Sequence, residues 1–388
     1  MMRLDIGICT RTHAWISEFV VLMALLLWSN AAPAQVSGAQ IDSLFSKFDS
    51  THDPGCAVLV IKDGQAVFRK GYGVADLRTF EKIGPETNFR LASLTKQFTA
   101  MAIMLLVHDG KLRYEDRLTD VFADFPAYGN AITIRQLLNH TSGLVAYEDI
   151  MEKQYAGVAD DKIPQISDSG VLDLLKRQTG TKFTPGTRWE YSNSGYVLLA
   201  MVVEKRSGMR FGDFLRQRIF APLGMTGTIA HEKGRDEIGH RAYGHTRAAA
   251  GWSETDQSST SATLGDGGIY TSLDDLEKWD RGLAAHTLLT AKEMEPAWTP
   301  AIAANGAHLQ QSLQQLDGSV APLYGFGWFL NPYRGHRRYA HYGETVGFRT
   351  AIQRFPDDRL TVIVLANRAE ADAPALAEGV TDLYFLKR

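Results

Sequence analysis

Strand-forming runs crowd both ends of this chain and leave its middle to helices. Cys56–Lys62 and Gln65–Lys70 are β-rich, and Asp63-Gly64 between them has the composition of a two-residue hairpin loop. Late in the chain, Tyr324–Leu330, Arg338–Tyr342, Phe348–Phe355 and Leu360–Ala366 read as further strands, with a turn at Pro356-Asp357-Asp358. The stretch between carries helical patterns at Ser93–His108, Ile134–Asn139, Gly170–Gln178, Ser194–Ser207 and Phe211–Phe220. A lone hairpin is marginal in water, so the two groups of strands are expected to complete one another. The expected fold class is α/β in the α+β sense: an antiparallel sheet flanked by helices, built from both chain ends, with an inserted helical domain. The sheet part covers about 35–90 and 264–388, and the helical part about 91–263. Ile41–Phe48 and Ala373–Leu386 read as helices at the two ends of the sheet part, and Gly251–Thr263, polar and small, as a loop. A cleft between sheet and helical parts is the default place for a site.

The first 34 residues read as something other than fold. Arg3 and Arg11 precede an apolar run from Phe19 to Trp28, and Ala32-Pro33-Ala34 supplies small residues where a signal peptidase cuts. The expectation is a signal peptide over 1–34, with a periplasmic or secreted product; an uncleaved anchor is the competing reading. No later segment is apolar enough to cross a membrane, so no stable membrane span is expected after signal cleavage. Cys9 lies in that leader, which leaves Cys56 without an intramolecular disulfide partner, and its apolar strand marks it as core filling. A net charge of −3 over 388 residues offers no basic stripe for nucleic acid.

Ser93-Leu94-Thr95-Lys96 is the sole S-x-x-K in the chain, and it opens the helical run that stops at Asp109-Gly110. Residues three apart on a helix share a face, so the Ser93 hydroxyl and the Lys96 amine can meet. A serine needs a neighbour to take its proton. Lysine serves once burial, or the positive end of a helix, lowers its pKa. The pair reads as nucleophile and base, and the chain as a candidate acyl-transfer hydrolase. A surface serine capping a helix has the same local appearance.

Two later tripeptides add to the pattern. Tyr191-Ser192-Asn193 pairs a phenol, able to relay a proton, with an amide able both to donate to and to accept from a substrate amide. Tyr128-Gly129-Asn130 has the same form but sits in a loop. His341-Tyr342-Gly343 ends a late strand, where glycine lets a substrate lie against the strand edge and leaves the Glu344 amide to hold an oxyanion.

In this order and rough spacing, the three motifs resemble those of the serine β-lactamase and penicillin-binding-protein superfamily. The match is closest to its class C-like branch, which also holds esterases and D-amino-acid peptidases. Leu137-Leu138-Asn139-His140-Thr141-Ser142-Gly143-Leu144 and Gly267-Gly268-Ile269-Tyr270 fit as well, and the likeness runs from about Ile41 to Phe385. The resemblance implies an acylated nucleophile at Ser93, an acid–base pair in Lys96 and Tyr191, and substrate positioning by Asn193. It further implies an oxyanion hole from the backbone N–H groups of Ser93 and Glu344, beside Gly343. It implies no metal or organic cofactor.

One departure is informative. Penicillin-recognising members carry Lys-Thr-Gly where this chain has His341-Tyr342-Gly343, and a neutral imidazole holds a carboxylate less firmly than an ammonium. Arg349, six residues on, is the candidate replacement cation; a solvated strand residue is the other reading. The expected activity is therefore an exported serine hydrolase that cleaves small esters or peptide-like amides, its partner a small molecule or short peptide, cell-wall material included. The alternatives are a β-lactamase or D,D-carboxypeptidase/endopeptidase working on cell-wall peptides, and a non-catalytic penicillin-sensing or peptide-binding module that acylates and stalls.

Overall fold

The computed structural model describes residues 36–302 and 322–386. The expected signal segment lies outside them. Among the described residues, no helix is long and apolar enough to cross a membrane.

Five antiparallel strands form the central sheet: β1 (Cys56–Lys62), β2 (Gln65–Tyr72), β3 (Tyr339–Thr345), β4 (Phe348–Phe355) and β5 (Leu360–Ala366). Their spatial order is β3-β4-β5-β1-β2, so β1 and β5, from opposite ends of the chain, pair in the middle, with Cys56 opposite Ala366 and Lys62 opposite Leu360. The unbroken apolar run of β1 follows from this place, because both of its faces are covered. Ala57, Leu59 and Ile61 enter the large core. Cys56, Val58 and Val60 face helix α1 (Gly38–Phe45) and helix α5 (Ala373–Phe385) through Ile41, Phe45, Ala373, Ala377 and Val380. Cys56 is fully buried there, as core filling.

The large core lies on the other face. It is built around α2 (Lys96–His108), α3 (Asn193–Ser207) and α4 (Leu273–Ala284). α2 is apolar nearly all round, as an enclosed helix must be. Asp280 on α4 accepts hydrogen bonds from Arg354 Nε on β4 (2.6 Å) and Thr361 Oγ1 on β5 (2.8 Å), which ties this layer to the sheet.

Three expectations change. Tyr324–Leu330 is a tight turn with isolated bridges rather than a strand. Gly327 has φ +78°, and a Cβ there would lie 2.8 Å from the Lys96 carbonyl, so this turn is pressed against the start of α2. The expected helix at Phe211–Phe220 keeps regular α geometry only to Leu215 and then widens into a π turn. Gly251–Glu254, expected as loop, pairs with His245–Ala248 as a short hairpin.

Candidate active site

Ser93 stands in a single 3-10 turn, Ala92–Thr95, just before α2 begins at Lys96. Several anchors fix that turn. Leu91 N–H donates to the Ile269 carbonyl (2.8 Å), Thr350 Oγ1 donates to the Leu91 carbonyl (2.8 Å), and Ile269 N–H donates to Thr95 Oγ1 (3.2 Å). Ala92 is held at φ +49°, a strained setting directly before the hydroxyl. Gly343 on β3 fits only because it lacks a side chain: a Cβ would sit 2.1 Å from the Leu91 carbonyl oxygen and 3.2 Å from the Ser93 nitrogen. The edge strand thus runs beside the Ser93 amide.

Lys96 is fully buried. Its Nζ donates to Ser93 Oγ (3.0 Å), Asn193 Oδ1 (2.7 Å) and the Asp266 carbonyl (2.9 Å). Three acceptors use all three protons of an ammonium. Burial pulls its pKa down to about 8, against the opposing pull of the Asp266 and Glu148 carboxylates. Once the proton facing Ser93 is lost, the same short contact lets Nζ accept from the hydroxyl.

Asn193 opens α3, and its amide is engaged at both ends. Its oxygen accepts from Lys96, and its nitrogen donates to Glu148 Oε1 at 2.6 Å. Tyr191 lies just upstream, with its ring centre 4.9 Å from Lys96 Nζ. Burial drives its phenol well above the ordinary value, and the Ser93 side chain pulls the other way. It stays protonated at neutral pH.

His341 does not line the cleft. It is 1% exposed and packs behind Tyr191, its Nε2 2.9 Å from the Tyr324 hydroxyl and its Nδ1 2.8 Å from the Tyr342 carbonyl. Burial first, then the Lys96 charge, pushes the imidazole down to about 3, so it is neutral at pH 7. Arg349 is spent on its own hairpin: it donates to the Thr345 and Phe348 carbonyls (2.7 and 2.8 Å) and pairs with the Glu344 carboxylate at 2.9 Å. Glu344 itself borders the cleft, as do Ser93 and Asn193.

The structure adds residues that the motifs do not point to. Tyr147, Glu148, Asp266, Thr260, Thr263 and Arg90 line the same cleft. Asp266 directly precedes the Gly267-Gly268 stretch, and Glu148 follows the Leu137–Leu144 stretch by four residues, yet isolated acids carry no signal in a sequence. Tyr324 and His140 complete an aromatic wall behind Tyr191, at ring separations of 6.4 and 4.3 Å. His140 is buried at φ +61° and its Nδ1 accepts from Ser192 N–H (3.2 Å), a loop-ordering role.

Comparisons with known proteins agree with this fold. A family described as Beta-lactamase matches residues 41–384. Penicillin-binding protein 4* of Bacillus subtilis (strain 168) is 33% identical over 344 residues, which cover 85% of this chain and 72% of that protein. Among solved structures, the octameric penicillin-binding protein homologue from Pyrococcus abyssi superposes with a TM-score of 0.74 at 24% identity, over 91% of this chain and 78% of the other. D-amino acid amidase from Ochrobactrum anthropi SV3 gives 0.71 at 24% identity, over 90% and 98%. Both likenesses, at such identity, concern the fold alone.

Proposed function

The chain belongs to the beta-lactamase family of serine hydrolases, and we propose that it is an exported member that works through an acyl-enzyme on Ser93 and cleaves small esters or peptide-like amides. The observation that carries this reading is the 3.0 Å contact between Ser93 Oγ and a buried Lys96 whose pKa is drawn down to about 8.

In the proposed cycle Lys96, having lost one proton, takes the Ser93 hydroxyl proton as Oγ attacks the substrate carbonyl. The carbonyl oxygen becomes an oxyanion, and the Ser93 and Glu344 N–H groups are its proposed donors. The leaving amine or alkoxide departs with a proton delivered from the Tyr191–Lys96 pair. Water then attacks the acyl-serine and gives its proton to the same base; the Ser93 Oγ–acyl bond breaks, the acid leaves, and the base returns that proton to Ser93 Oγ. Of the two basic candidates, Lys96 is favoured as the acceptor of the serine proton, because burial makes its neutral form accessible and makes the Tyr191 phenolate inaccessible. Residues 1–34 are proposed as the export signal, and 35–388 as the hydrolase domain.

A second reading, hydrolysis of β-lactams or of cell-wall peptides, draws on the 33% identity to a penicillin-binding protein. Steady turnover of nitrocefin or of a p-nitrophenyl ester beyond one equivalent supports an enzyme; a single burst supports a stalled sensor. Ser93→Ala is expected to remove turnover by about 10³-fold or more. Retained ester hydrolysis in that variant rules out this nucleophile.

A further inference from the structure

We propose that the protein has a second small-molecule site, at the far end of the sheet from Ser93, which takes an organic monocarboxylate with an apolar body.

The site is a cavity of about 530 Å³ at the turn ends of β1, β4 and β5, closed on its other side by the C-terminal end of α4. It shares no wall residue with the Ser93 cleft. Tyr339, at the start of β3, lines it, and Gly343, which presses on the Ser93 turn, comes later on the same strand. An extended strand covers about 13 Å in that interval. The volume falls within the range of about 300–1,000 Å³ that small-molecule sites occupy.

Most of the wall is apolar. Leu283 on α4, Phe355 on β4 and Leu360 on β5 are buried residues that border the space. Trp298 stands beside them, stacked on Tyr339 at a ring separation of 4.3 Å and so held in one orientation. A ligand with an apolar body removes this surface from water.

The charged part of the wall sets the head group. Besides His286 it consists of Arg354, Arg359 and Asp280, two guanidiniums against one carboxylate. Arg354 is 8% exposed and reaches Asp280 Oδ1 through Nε alone (2.6 Å). Its Nη2 lies a long 3.4 Å from the Asp280 carbonyl, and its Nη1 has no hydrogen-bond partner among the described residues. A guanidinium is a planar fork of donors, and a buried one with idle donors suits a carboxylate, which accepts from two of them at once. Asp280 Oδ1 is already engaged by Arg354 and by Thr361 Oγ1 (2.8 Å). Arg359 stands at the rim, in an exposed pair with Asp63 at 3.5 Å that is weak enough to yield to a ligand. The excess of one positive charge matches a single carboxylate, whereas a phosphate dianion would carry one negative charge too many.

The test uses Ser93→Ala protein, so that neither acylation nor turnover intervenes and the outcome does not depend on the reading of Ser93. Isothermal titration calorimetry at pH 7 compares 4-phenylbutyrate with its neutral amide, 4-phenylbutyramide. The carboxylate should bind with a Kd of about 1 mM or below, and the amide about tenfold more weakly or worse. Arg354→Lys keeps a cation for Asp280 but removes the fork, and should weaken carboxylate binding about tenfold. Arg359→Gln, at an exposed position that leaves the interior untouched, should weaken it about threefold or more, and it decides the matter should Arg354→Lys fail to fold. No saturable binding of 4-phenylbutyrate below about 20 mM overturns the proposal. Equal affinity for the amide overturns it too, by removing the anionic head. So does unchanged carboxylate affinity in either folded variant, which puts the ligand elsewhere.

Discussion

At the scale of single residues, the chemistry turns on the charge of one amine. Lys96 is lowered by burial, so its neutral, proton-accepting form is present above about pH 8 and is lost as pH falls. The acid limb of kcat/KM for a neutral ester should therefore have unit slope below that pH, with the rate at pH 6 about a hundredfold below its plateau. A limb near pH 6.5, the ordinary range of an imidazole, would contradict it, since His341 is held neutral down to about 3. Lys96→Arg retains a cation that cannot deprotonate and should lose about 10³-fold or more in kcat. The pairing of Ser93 with Lys96 was legible in the sequence because helical spacing alone brings them together. The inward turn of His341 was not. It shares the core face of β3 with Gly343, two residues on, and no pattern along the chain reveals which face of an edge strand is covered. Glu148 and Asp266 were invisible for a different reason: a buried acid and a solvated one look alike until the fold surrounds them.

At the scale of elements, the site depends on how closely β3 approaches the Ser93 turn. Gly343→Ala puts a methyl into the Leu91 carbonyl and Thr350 Oγ1, contacts that must move. Overpacking of this kind should cost about 1–3 kcal/mol in urea denaturation. It should also depress kcat beyond what the stability loss explains, because the strand carries the proposed oxyanion donor. Near-normal kcat in a folded variant would show that the strand need not lie so close. β1, β4 and β5 were legible residue for residue because their apolar runs are short, β-branched and bounded by turns. Tyr324–Leu330 has similar composition but contains Gly325 and Gly327, and tertiary contact with Ala297 and Lys96 folds it into a turn. The 3-10 turn at Ser93 was likewise beyond reach, since it is imposed by anchors at residues 269 and 350.

At the scale of the whole molecule, the sheet closes only when the two ends of the chain meet at β1 and β5. Those separated strand groups were the strongest signal for the architecture, because neither can bury both faces alone. The layer across the large core is joined to the sheet through Asp280, whose carboxylate is nearly buried beside Arg354. Asp280→Ala strands that guanidinium in the interior and should cost about 3–5 kcal/mol by chemical denaturation. A loss below about 1 kcal/mol would mean that Arg354 finds water or another partner.

Catalysis by this route requires a covalent intermediate at one hydroxyl. The most direct measurement is rapid-quench intact mass spectrometry with peptide mapping after mixing with p-nitrophenyl acetate. The expected result is a mass gain of one acetyl group, mapped to the peptide at Ser93, that decays with turnover and never forms in Ser93→Ala. An acyl group on any other residue, or steady hydrolysis by Ser93→Ala, contradicts it.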